Sequence, residues 1–92
     1  MDLDALLDRV NSKETFLEFV GALRDDWEVE CAMEKASPSS PYGPGACGWE
    51  NGSIGSFLDA IQAWSNDSGD RVPSSPDWRT FAHILYAGKF YE

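Results

Sequence analysis

The chain has 92 residues, 42% of them hydrophobic, and its sixteen acidic and seven basic side chains give a formal net charge of −9. This length predicts one domain over residues 1–92, and four Trp, five Phe and three Tyr supply large apolar side chains for a small core. Nucleic acids and anionic membranes would repel this charge, and a chain with an acidic N-terminus and no long apolar run is expected in the cytoplasm.

The N-terminal segment has the spacing of an amphipathic helix. Apolar side chains recur at helical intervals at Leu3, Leu6, Leu7 and Val10, with aspartates between them. Asn11, followed three residues later by Glu14, predicts a capping box, so a second helix should start near Ser12.

The second helix has a clear apolar face but an ambiguous end. Phe16, Val20, Leu23 and Trp27 share one side at helical spacing. Residues 27–34 also alternate in the manner of a strand, yet no other segment offers a convincing partner strand. We therefore predict a continuing or broken helix to about residue 34.

Residues 36–53 are rich in Gly, Pro and Ser and predict a central loop. Ser53 can cap a third helix, in which Ile54, Phe57, Leu58, Ile61 and Trp64 follow at intervals of three or four residues. A second loop is predicted over about 65–75.

A fourth helix is predicted near the C-terminus. Ser75 is a suitable N-cap, Pro76 fits the first helical position, and Gly88 can end the helix. His83, the only histidine, falls beside Arg79 on the predicted polar face.

These elements predict an all-α bundle of three to four helices around a central Gly/Pro/Ser-rich loop. The predicted core consists of Phe16, Val20, Leu23, Phe57, Leu58, Ile61, Trp64, Trp78, Phe81 and Leu85.

The segment Trp49-Glu50-Asn51 before SIGSFLDAIQAW, followed by PDWRTFAHILYAGKFYE, resembles an uncharacterised family of short bacterial proteins. The matching positions are Phe16, Leu17, Phe19, Trp49, Asn51, Phe57, Leu58, Ala60, Trp64, Trp78, Phe81, Ala82, Leu85, Ala87, Tyr91 and Glu92. Residues 28–48 look like an insertion, and Gly55 and Gly88 depart from the helix-forming residues expected there. Because the matched positions are mainly apolar, the resemblance implies a fold and no activity.

Neither catalysis nor a bound cofactor is expected. The single histidine on a polar face provides no Ser/His/Asp or Cys/His set. Cys31 and Cys47 lie sixteen positions apart without the CxxC pair of a usual metal site, so we expect free thiols and no metal.

The charge favours binding to a basic protein, although it also suits solubility alone. We predict a small acidic protein-binding module and, within that class, a bacterial immunity-type neutraliser of a basic partner. The alternatives are a nucleic-acid-mimicking inhibitor and a structural or accessory subunit. The sequence identifies neither the partner nor the oligomeric state.

The predicted partner-binding residues are the crowded carboxylates Asp25, Asp26, Glu28, Glu30 and Glu34. Such a density would attract a basic partner over long range, and an aromatic side chain could anchor the contact. Trp27 can serve as this anchor, but its spacing from Val20 and Leu23 favours the core. Reversing Asp26, Glu28 and Glu30 to Lys is expected to slow association while leaving the fold intact.

Overall fold

The part of the chain that the structure describes folds into four helices. The computed structural model describes residues 2–40, 43–69, 72–73 and 75–91. The helices are α1 Leu3–Asp8, α2 Lys13–Ala36, α3 Ile54–Ser68 and α4 Trp78–Phe90. No strand occurs in the described ranges, so the predicted all-α class is confirmed. Residues 41–42, 70–71 and 74 of the predicted loops lie outside the described residues, as does Glu92.

The cap of α2 lies one residue later than predicted. Ser12 accepts a hydrogen bond from the Thr15 backbone N–H at 3.2 Å, and Thr15 Oγ1 accepts one from the Ser12 N–H at 2.9 Å. Thr15 also accepts from the Asn11 N–H at 2.9 Å. Thr15 therefore closes the capping box, and neither Asn11 nor Glu14 has the predicted role.

Both middle helices end later than predicted. The α2 helix continues unbroken to Ala36, so the strand alternative for residues 27–34 is wrong. Ser53 caps α3 as predicted, by accepting from the Ser56 N–H at 3.1 Å. The predicted loop at residue 65 begins late, because α3 continues to Ser68 before Gly69 takes a positive φ of 55°.

The boundaries of α4 also differ from the prediction. Asp77 is the N-cap in place of Ser75, and it accepts from the Thr80 N–H at 2.9 Å. Gly88 lies inside the helix, because α4 continues to Phe90. A Cβ at position 88 would collide with the Phe57 ring, so the glycine serves close packing of α3 against α4.

The buried core differs in part from the prediction. It comprises Leu3, Leu7, Val10, Phe19, Ala22, Leu23, Trp49 and Ala82, with Phe16, Phe57 and Leu85 partly buried against it. Three predicted core residues are exposed: Leu58 to 56%, Trp78 to 40% and Phe81 to 43%. On α4 the prediction chose the face with the large side chains Trp78 and Phe81. The helix instead buries the face that carries the small residues Ala82, Ala87 and Gly88.

His83 does not lie on an exposed polar face. It is partly buried, and its ring stacks parallel to that of Trp64 on α3, with centroids 6.3 Å apart. The predicted placement was wrong because it considered α4 alone. The spacing of His83 from Arg79 does not show that α3 packs against this side of the helix.

The short α1 is held against α4 by polar contacts from Arg79 and Tyr86. Arg79 donates to the backbone oxygens of Asp8 at 2.7 Å and Val10 at 3.2 Å, which satisfies carbonyls at the end of α1. Burial, followed by a hydrogen bond to Asp4, raises the pKa of Tyr86 to about 12. Tyr86 therefore stays protonated at neutral pH and can donate to Asp4.

Candidate functional site

The five predicted partner-binding carboxylates do not form one surface. At about 100° per residue, Asp26, Glu30 and Glu34 share one face of α2, and their side chains bond to the following loop. Asp25 and Glu28 lie on the roughly opposite face. The structure thus divides the cluster into an inward set and an outward set.

Glu30 is a buried acceptor that shapes the loop. Only 5% of the residue is exposed, and its Oε1 accepts from the backbone N–H groups of Cys47 at 3.0 Å and Trp49 at 3.1 Å. A Cβ on residue 45 would overlap the Glu30 carboxylate, so Gly45 is needed for this approach. Gly48, with a φ of 85°, turns the chain between the two donors.

Glu34 binds the start and the middle of the same loop. Its carboxylate accepts from the Ser39 N–H at 2.6 Å and from the Ala46 N–H at 2.7 Å. Hydrogen bonds from the Ser39 hydroxyl and backbone, ahead of the one from Ala46, lower the pKa of Glu34. The ionised form is therefore the one that holds the loop.

The lowered pKa of Glu34 predicts that acid weakens the fold. The stabilisation is present above the unfolded-state pKa of about 4.3 and is lost as the pH falls through the lower folded-state value. We expect Glu34→Gln to destabilise the protein at pH 7 and to flatten the fall in stability below about pH 4. Urea unfolding at several pH values measures both, with the outward Glu28→Gln as control. A Glu34→Gln protein with the wild-type pH slope would contradict this role.

Asp26 joins three elements of the fold. It accepts from the Trp49 indole N–H at 2.8 Å and from Lys89 Nζ on α4 at 2.8 Å. Lys89 is buried, and its Nζ also lies 5.8 Å from the centroid of the Trp49 ring, within the range of a cation–π contact. The sequence prediction missed this cluster of Asp26, Trp49 and Lys89.

The Trp49-Glu50-Asn51 segment is docked on the end of α4. The backbone N–H groups of Glu50 and Asn51 donate to the Lys89 oxygen at 2.9 and 3.2 Å. The Asn51 amide donates to the oxygens of Gly88 at 3.1 Å and Tyr91 at 3.0 Å. Asn51 thereby satisfies carbonyls that the end of a helix leaves open. The motif that carried the family resemblance is a structural junction.

The outward set belongs to a longer acidic row. Asp25 and Glu28 share about 80° of the α2 surface with Glu14 and Glu18. Glu14, Glu18 and Glu28 are exposed, whereas Asp25 is half-exposed and pairs with Arg24 at 3.0 Å. We call these four carboxylates the outward acidic face. Their part in partner binding stays a prediction.

The two cysteines are free thiols in the structure, Cys31 exposed and Cys47 partly buried. Burial, together with the negative charges of Asp26 and Glu30, raises the pKa of the Cys47 thiol. It is therefore protonated at neutral pH and a weak nucleophile.

The described residues contain no group of three or more His, Cys, Asp or Glu side chains arranged to hold a metal ion. Within the same residues, no helix combines the length and apolar character needed to cross a membrane.

One signal in the sequence could have separated the inward set. Asp26, Glu30 and Glu34 recur every four residues, which places them on one face of any helix that reaches residue 34. A loop rich in Gly offers backbone N–H groups to such a face. The pairing of Asp26 with Lys89, 63 positions later, has no comparable local signal.

An apolar groove separates α2 from the start of α3. No Cα atoms of these two helices come within 8 Å of each other among the described residues. The Trp49 ring stands between them, with its centroid 5.1 Å from that of Trp27 and 6.5 Å from that of Phe57. The groove has a volume of about 320 Å³.

The comparison with protein families matches residues 12–92 to a family of unknown function, DUF7660. The comparisons with curated proteins and with solved structures found no match.

Proposed function

The chain belongs to DUF7660, a family of unknown function, and from its geometry we propose that it is a small protein-binding module whose partner is basic. The observation that carries this proposal is the outward acidic face of α2. The face presents its carboxylates to solvent, whereas the inward carboxylates are occupied by the fold.

The electrostatics of this face favour a cationic partner. The chain has a net charge of −9, and ten of its sixteen acidic residues precede residue 35. Among the described residues, Asp25 is the only member of the face with an ion pair, which it forms with Arg24. Concentrated exposed charge of one sign accelerates association with a surface of the opposite sign.

Apolar side chains border the same face and favour a protein over a small cation. Leu17 and Val29 lie on its two flanks, and each is about half exposed. Gly21 lies between them, and a Cβ at this position would meet nothing within 4 Å. Packing inside the molecule therefore does not require a glycine at this position. The absence of a side chain leaves room for a partner to approach the helix backbone.

Within this class, we propose a bacterial immunity-type neutraliser that acts in the cytoplasm. Small size and negative charge suit a protein that covers the cationic surface of a nuclease-type toxin. An adjacent toxin-like reading frame would support this assignment over an accessory subunit. The product of that frame should then inhibit growth when it is expressed alone, and co-expression of this chain should restore growth.

The test is affinity capture from host extract, followed by stopped-flow association of the captured protein. We expect to capture a basic protein. Its association rate constant with the Glu18→Lys/Glu28→Lys variant should be lower than with the wild type by a factor of about ten or more, because both reversals lie within the outward acidic face. Raising the salt concentration should slow the wild type more than the variant.

The matched control is Asp8→Lys/Asp59→Lys, which reverses two exposed carboxylates on α1 and α3. Both variants change the formal net charge from −9 to −5, since each reversal adds two charges. Equal rates for the two variants would show a general charge effect and overturn the assignment to α2. Capture of no basic protein would overturn the proposal itself.

A second candidate, a nucleic-acid-mimicking inhibitor, is favoured by the linear arrangement of the same carboxylates. Glu14 to Glu28 span fourteen helical steps, or about 21 Å along one side of α2. A mimic should compete with duplex DNA for its partner, whereas a neutraliser that docks elsewhere should bind while DNA is present.

A further inference from the structure

The groove between α2 and α3 is a second surface that the acidic face does not include. Its apolar lining consists of Val20, Leu23, Trp27, Trp49, Ile54 and Phe57. Its volume of about 320 Å³ lies at the lower end of the range for ligand sites, roughly 300–1,000 Å³. Trp27, for which helical spacing favoured the core, packs against the core partly buried and also forms part of the groove wall.

An apolar stripe on α3 extends the groove. Ile54 is 81% exposed and Leu58 56% exposed, and their spacing of four residues places both on one side of the helix. Ile61, partly buried, continues this side by another turn. Exposed apolar side chains that follow a groove at helical spacing match the surface on which an amphipathic helix docks.

We infer that this groove receives an amphipathic helix of the basic partner, an inference that rests on the proposed function. The apolar side of that helix would lie against Ile54, Leu58 and the two tryptophans. Its Lys and Arg residues would face away from the groove, where the net negative charge of this chain attracts them.

Charge decides between this occupant and the alternatives. Among the described residues that line the groove, Arg24 is the only cation, and it pairs with Asp25 at 3.0 Å, so an acidic segment would find no unpaired cation in that lining. A second copy of the chain would bring another net charge of −9 to the same place. A cationic helix gains from the field that repels both.

The probe is a synthetic helical peptide of about 15 residues, with Leu at i, i+3, i+4 and i+7 and Lys elsewhere. The indole N–H signals of the four tryptophans locate binding by two-dimensional NMR, after assignment with single Trp→Phe variants. We expect the signals of Trp27 and Trp49 to shift, because these rings line the groove, and those of Trp64 and Trp78 to stay. Shifts only at Trp64 and Trp78 would overturn the inference.

Affinity measurements supply the controls. Ile54→Gln should weaken peptide binding at least about tenfold, while Met33→Gln, a change at an exposed apolar residue outside the groove, should not. A scrambled Leu/Lys peptide and a Leu/Glu peptide should bind at least about tenfold more weakly. If either control peptide bound as tightly as the amphipathic Leu/Lys peptide, or if Ile54→Gln bound the peptide with wild-type affinity, the docking mode would be overturned.

The captured partner separates the two proposals. If Glu18→Lys/Glu28→Lys slows its association and Ile54→Gln leaves its affinity unchanged, the groove inference fails and the proposed function stands. If the peptide occupies the groove but no basic partner is captured, the proposed function fails.

Discussion

Phe19→Ala is expected to lower the free energy of unfolding by about 3–5 kcal/mol, the range for removing a large buried side chain. Phe19 is 0% exposed, and its ring packs edge-on against Tyr86 of α4, with centroids 5.8 Å apart. The substitution would leave a cavity where α2 meets α4. Urea unfolding followed by circular dichroism measures the loss.

Phe81→Ala is the matched control, because it removes the same ring from a site 43% exposed to solvent. We expect a loss of about 1 kcal/mol there, since less apolar area leaves water on folding. Similar losses at the two positions would show that the buried face of α4 has been assigned wrongly.

Local signals in the sequence were sufficient for the class of fold and for much of the helix pattern. Ser53 as a cap and the periodic apolar residues after it defined the start of α3, because capping and periodicity act within a few residues. The N-caps of α2 and α4 were displaced by one and two residues. Several Ser, Asn and Asp side chains compete there, and the observed caps, Ser12 and Asp77, are also hydrogen-bonded to the hydroxyls of Thr15 and Thr80.

Contacts between distant segments were beyond sequence periodicity. Gly88 resembles a helix terminator locally, yet it lies within α4, where the Phe57 ring occupies the space that a Cβ at position 88 would need. Phe81 resembles a core residue by size, yet Ala82 beside it is the buried one. For Gly88, the deciding partner lies on another helix.

The same limit explains the divided acidic site. Charge alone makes Asp25 and Asp26 equivalent, but α2 directs adjacent residues to different sides. Reversal of Asp26 and Glu30 would remove contacts to Lys89 and the central loop, so the expectation that such a variant keeps its fold is not supported. Glu18 and Glu28 provide a cleaner test of partner binding.

The two neighbouring aspartates should therefore differ strongly in stability measurements. Asp26→Ala is expected to cost about 3 kcal/mol, because it leaves Lys89 without a counter-charge and the Trp49 indole without an acceptor. The accessible fractions of the two paired side chains, 22% for Asp26 and 10% for Lys89, place this cost at the lower end of the range for a broken buried ion pair. Asp25→Ala should cost below about 1 kcal/mol, since its pair with Arg24 is exposed.

A double-mutant cycle separates the ion pair from the rest of the junction. Lys89→Met keeps most of the apolar stem and removes the charge that Asp26→Ala leaves unpaired. The double variant Asp26→Ala/Lys89→Met should therefore be more stable than the sum of the single losses predicts, by about 1–3 kcal/mol. The Trp49 indole still lacks its acceptor in the double variant, so recovery should stay incomplete. Strict additivity would show that Asp26 and Lys89 are not coupled. Equal losses in Asp26→Ala and Asp25→Ala would show that Asp26 is no more a structural residue than its exposed neighbour.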